Sequence, residues 1–96
     1  MGNMELLATA LEYMETHLEE DVRTEDVAKD CFCSKSTLEK LFRCAMNISV
    51  HDYMVRRRMM KAAKLLHENQ EVNVLSVALR FGYSTNESFT RAFKQA

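Results

Sequence analysis

Two groups of three polar side chains have the types and spacing to hydrogen-bond a patterned surface. Asn86, Glu87 and Arg91 stand in the closing segment ALRFGYSTNESFTRAFKQA, Ala78 to Ala96, and Ser36, Glu39 and Lys40 stand about fifty residues earlier. At helical spacing each group sets donors and acceptors along one exposed side of a helix, in and just beyond its opening turn. Catalytic chemistry has no such footing. No Ser, His and acid cluster and no glycine-rich phosphate loop is present, and helix caps account for most serines. Cys31, Cys33 and Cys44 are an odd number, at spacings that fit neither a disulfide framework nor a C-x-x-C redox pair. They read as reduced, mostly buried thiols. Beside His17, His51 and His67, a Cys-x-Cys pair without a paired His partner is not structural-zinc spacing. No catalytic residue, metal or cofactor is therefore expected.

The elements that must carry these side chains follow from hydrophobic period and capping. The chain has 96 residues, 47% hydrophobic and 28% charged, with 2 Gly and no Pro, which leaves few of the punctuators that strands and hairpins need. An all-α domain is expected. Leu7, Leu11, Met14 and Leu18 form an amphipathic stripe over Met4 to Glu20, and Thr24 can cap a short second helix bearing Val27 and Ala28. Ser34 can cap a third helix, with Leu38, Leu41, Phe42 and Ala45 inward and Asn47 as its stop. Ser49 and Asp52 have capping-box form at the head of a long fourth helix, whose Tyr53, Val55, Met59, Ala62, Ala63 and Leu66 lead to about Asn69. Asn73 can cap a fifth, with Val74, Val77, Ala78 and Phe81 apolar and Gly82 at its C-terminal end, and Ser84 or Thr85 a sixth, backed by Phe89 and Phe93.

No apolar run approaches the length of a membrane span and the start lacks a signal-peptide pattern, so a cytoplasmic chain without a membrane partner is expected. The net charge of −1 hides a dipole: residues 1–30 hold 9 acids and 2 bases, −7, while residues 31–96 hold 5 acids and 11 bases, +6. The basic part suits an anionic partner.

A repeat runs through the pattern. Val27 and Ala28 recur as Val77 and Ala78; past the turn Ser34 pairs with Thr85, Leu38 with Phe89, Lys40 with Arg91, Phe42 with Phe93 and Arg43 with Lys94, one residue further apart. A short helix, a tight turn and a helix with a polar opening, written twice, is the layout of two helix-turn-helix units, whose second helix enters the DNA major groove N-terminus first. Arg, Lys, Asn and Glu suit base edges there, while helix N-terminal amides and flanking cations hold phosphates. The long helix, roughly 30 Å at about 1.5 Å per residue, nearly matches the roughly 34 Å between successive major-groove segments. Its Arg56, Arg57, Arg58, Lys61 and Lys64 either add backbone attraction or form an ordinary solvated face.

The chain resembles the AraC/XylS transcriptional regulators in VAKDCFCSKSTLEKLF, in HDYMVRRRMMKAAKLL and most specifically in VLSVALRFGYSTNESFTRAFK, where Ala78, Gly82, Tyr83, Phe89, Arg91, Phe93 and Lys94 match the family signature. The resemblance implies an all-α, bipartite domain of two helix-turn-helix units bridged by a long helix: residues 1–48, 49–69 and 70–96. It implies bacterial transcription control, double-stranded DNA and RNA polymerase as partners, and an effector or dimerisation domain elsewhere in a parent protein. Base contacts are implied at Ser36, Glu39, Lys40, Asn86, Glu87 and Arg91, and DNA-backbone contacts at Ser34, Lys35, Thr37, Arg43, Arg56, Ser84, Thr85 and Lys94.

Three features depart from that pattern. Phe32 stands where the family's first turn often has Gly, so either the turn differs or a bulky residue bears strain. Glu39 and Glu87 can accept from cytosine N4 but repel phosphate, trading affinity for selectivity. The chain stops where the family usually continues into a short final helix, which suggests an excised fragment. A helical protein-interaction module, docking through the acidic first helix or a Met-rich surface, is the rival reading; it leaves the repeat unexplained.

Overall fold

Side-chain caps open four of the six helices in the computed structural model, which describes residues 2–96: α1 (Asn3–Thr16), α2 (Thr24–Asp30), α3 (Lys35–Met46), α4 (Val50–Glu68), α5 (Val74–Arg80) and α6 (Asn86–Gln95). Ser34, Ser49, Asn73 and Thr85 each accept the amide three residues on, at 3.0, 3.1, 2.7 and 3.1 Å. Each bond satisfies one of the amides that a helix start leaves free. Of the two candidates before α6, Thr85 is the cap. Thr24 is not a cap: Arg23 holds that position, and its amide donates to Asp26 Oδ2 at 2.9 Å, so the carboxylate inside the first turn serves the free amide instead.

Two hydrophobic cores share the spine α4. The first joins Leu6, Ala10, Met14, Leu18, Val27, Ala28, Cys31, Leu38 and Phe42 to Val50 and Met54; the second joins Met59 and Ala62 to Val77, Ala78, Phe81 and Phe89. The five-residue step from Met54 to Met59 turns the buried face of α4 from one core to the other. That step departs from the expected stripe. Met59 and Ala62 are buried as expected, Tyr53, Val55, Ala63 and Leu66 are half-buried, and Val50 and Met54 are core residues outside it.

Helix α1 stops at Thr16, short of the expected Glu20. The Tyr13 carbonyl, which the next turn would use, accepts from Thr16 Oγ1 at 3.1 Å and lies 2.7 Å from His17 Nδ1, so side chains compete with the helix. Its buried stripe is Leu6, Ala10 and Met14, one residue round from the expected Leu7 and Leu11, which are half-buried. Leu18 still reaches the core from the turn beyond the helix. Three other inward assignments are corrected: Ala45 in the last turn of α3 is exposed, as are Val74 at 43% and Phe93 at 41%. Phe93 lies at the edge of the apolar side of α6, tilted against Phe89 with ring centroids 6.1 Å apart. Of the thiols only Cys31 is buried, and burial pushes its pKa up; Cys33 is half-buried and Cys44 exposed.

Candidate nucleic-acid interface

Both turns that aim the polar helices have the same hydrogen-bonded form. Cys33 donates to the Ala28 carbonyl at 3.0 Å and Phe32 to Lys29 at 3.2 Å; Tyr83 donates to Ala78 at 2.9 Å and Gly82 to Leu79 at 3.1 Å. These paired bonds close a helix when the residue after the cap is left-handed. Gly82 adopts φ 89° without steric cost, whereas Phe32 adopts φ 56° with a side chain and is 92% exposed. So the first turn keeps the shape of the second, and Phe32 bears the strain.

After those turns α3 and α6 begin behind the caps Ser34 and Thr85. All six expected base-contacting residues are exposed: Ser36, Glu39 and Lys40 on α3, and Asn86, Glu87 and Arg91 on α6. So are all eight expected backbone-contacting residues, Ser34, Lys35, Thr37, Arg43, Arg56, Ser84, Thr85 and Lys94. At about 100° per residue, Asn86, Glu87, Thr90, Arg91 and Lys94 fall within an arc of about 140° on α6. Thr90 is also exposed, and sequence reasoning passed it over. The repeat contained the signal, because Thr90 stands to Arg91 as Glu39 stands to Lys40.

Electrostatics divide the cations into two sets. Among the described residues, Lys40, Arg43, Arg56, Arg91 and Lys94 form no ion pair and project freely. Lys35 is already engaged: its Nζ lies 2.9 Å from Glu25 Oε1, which holds the Glu25 carboxyl below its ordinary range and raises the Lys35 ammonium. Arg57 and Arg58 leave the surface set altogether. Arg57 grips Glu15 through Nε at 3.0 Å and Nη2 at 3.1 Å, and Arg58 donates to the carbonyls of Leu18 at 2.8 Å and Glu20 at 3.1 Å. Their partners lie near the end of α1, so on α4 the outward Lys and Arg cations are Arg56, Lys61 and Lys64.

A model of a helix-turn-helix domain matches residues 27–96. The chain is 32% identical over 87 residues to the probable transcription factor PqrA of Proteus vulgaris, covering 88% of this chain and 70% of that protein. It spans 39% and 28% of the length of two other curated relatives. The fold is similar to a transcriptional regulator with an AraC-type DNA-binding domain from Chromobacterium violaceum, with TM-score 0.89 and 26% identity over 98% of this chain and 83% of that one. It is likewise similar to the C-terminal domain of AraT, a response regulator from Geobacillus stearothermophilus, with TM-score 0.86 and 32% identity over 95% and 75% of the two chains. Family match, identity and fold agree, and the chain belongs to the AraC-type helix-turn-helix family of DNA-binding domains.

Proposed function

We propose that this chain binds double-stranded DNA sequence-specifically, with α3 and α6 reading adjacent major-groove segments, and so controls transcription in a bacterium. One observation carries the reading: two helices with equivalent polar faces follow two turns of the same form on a molecule 44 Å long and about 20 Å across. Helix α4, 19 residues and roughly 28 Å long, spaces the units on the scale of one duplex turn, roughly 34 Å. Ser36, Glu39 and Lys40, with Asn86, Glu87 and Arg91, read base edges, and Thr90 joins the second group. Arg43, Arg56, Lys94 and the two helix starts hold phosphates, while Lys35 does so in exchange for Glu25. The division into residues 1–48, 49–69 and 70–96 describes two reading units and their linker. RNA polymerase and an effector or dimerisation domain are the further partners this role calls for, in the cytoplasm.

A Met-rich docking face is disfavoured by its dispersal. Met14, Met54 and Met59 are core residues, and the exposed Met4, Met46 and Met60 lie on three different helices. Selection from a random duplex pool at about 100 mM salt, with sequencing of the bound fraction, tests the reading. Two enriched boxes about one helical turn apart are expected, with Lys40→Ala and Arg91→Ala each losing about 1–3 kcal/mol and relaxing one box. A single box would leave one unit as a backbone clamp, and no enrichment would sink sequence-specific reading by this chain.

A further inference from the structure

The two cores share no buried residue, and between the units the Glu19–Asp21 segment faces the Phe81–Tyr83 turn across an open cleft. Two units joined only through one helix would be free to swing about it. A polar set at the end of α1 supplies the missing attachment. Glu15 is gripped by Nε and Nη2 of Arg57, and Arg58 takes the carbonyls of Leu18 and Glu20, which binds this end of the first unit to the spine. Glu19 then reaches Arg80, the last residue of α5, with one carboxylate oxygen on Nε and the other 3.3 Å from Nη2. The spine, the end of α1 and α5 thus close a triangle, and a triangle has no hinge.

We propose that Glu19 and Arg80, seated by the Glu15–Arg57 and Arg58 contacts, are positioning residues that set the angle between the two recognition helices and hence the spacing between the two DNA boxes. The consequence for spacing rests on the two-box reading above; the brace does not. Both side chains of the pair are about half exposed, at 54% and 43%, so it restrains orientation more than it stabilises either core. Neither residue lies on a recognition face.

Spin labels on the exposed Cys44 of α3 and on Gln95→Cys of α6, in a Cys33→Ser background, report the distance distribution between the recognition helices in the free protein. Arg80→Ala is expected to broaden that distribution by about twofold with little change in unfolding temperature, as suits an exposed pair. The charge exchange Glu19→Arg with Arg80→Glu should narrow it again. An unchanged width in Arg80→Ala overturns the brace, whatever the DNA result. On duplexes carrying the selected boxes, a one-base-pair insertion should weaken the parent chain by about tenfold, the scale of one mismatched pair, and Arg80→Ala by about twofold or less. Equal losses in both chains would overturn the link to spacing. If the parent selects no paired boxes, the two-box reading fails, and the label distances still decide the brace.

Discussion

Phe32 holds a left-handed conformation, φ 56°, while 92% of its surface faces solvent, so its ring returns little packing for the strain. Gly in its place removes a penalty of about 1–2 kcal/mol and adds back about 0.4–1 in unfolded-chain freedom. Phe32→Gly is therefore expected to stabilise the chain by about 0.5–1 kcal/mol and raise its melting midpoint by about 2–8 °C in a thermal scan. A lower midpoint would show that the ring packs in a way its exposure conceals. Lys35 poses a second question at this level, because Glu25 occupies the ammonium that DNA is proposed to use. Glu25→Gln should tighten DNA binding and steepen the log–log salt slope by up to about 0.9, one phosphate's worth. An unaltered slope in a salt titration would mean that Lys35 never reaches a phosphate.

Each helix of the second unit should depend on its cap more than those of the first, because among the described residues the second core has six buried members against eleven. Asn73 Oδ1 accepts the Ser76 amide at 2.7 Å, and Asn73→Ala should cost about 1 kcal/mol, the usual value of such a cap. Hydrogen exchange should show α5 and α6 opening faster while α1 to α3 keep their protection. Uniform acceleration along the chain would instead mean that both units unfold as one. Most helix starts were legible beforehand, since a cap and the amide it serves are three residues apart. The face of α4 was not, because a single helical period describes a helix with one core, and this helix serves two.

For the molecule as a whole, three carboxylates of the acidic first segment, Glu15, Glu19 and Glu25, pair with Lys and Arg side chains from later in the chain. Hydrogen bonds from Arg57 and Arg80 hold the Glu15 and Glu19 carboxyls below their ordinary 4.5, and one from Lys35 does the same for Glu25. A carboxylate depressed by folding contributes stability that is complete above its unfolded value and is lost as pH falls through the lower folded one. The melting midpoint should thus hold down to the ordinary carboxylate range and fall below it. Glu15→Gln should start from a lower midpoint and show a shallower acid decline. Equal declines in the two proteins would show that the Glu15–Arg57 pair contributes nothing to acid sensitivity.

Helix count, four of the caps and the left-handed stops at Asn47 and Gly82 were readable from the chain because each depends on residues within about one turn of one another, and the repeat was readable because it sets two such local patterns side by side. The exposed polar positions of α3 and α6 followed from the same short-range period. Folding in space assigned the rest. Arg57 and Arg58 could have been DNA-facing or merely solvated cations until α4 met the end of α1, whose partner groups lie 38 to 42 residues away in the chain. Arg80 finds Glu19 across 61 residues. A long charged side chain reaches several ångströms in many directions, so its local sequence states its charge, and only the packing of helices states which partner receives it.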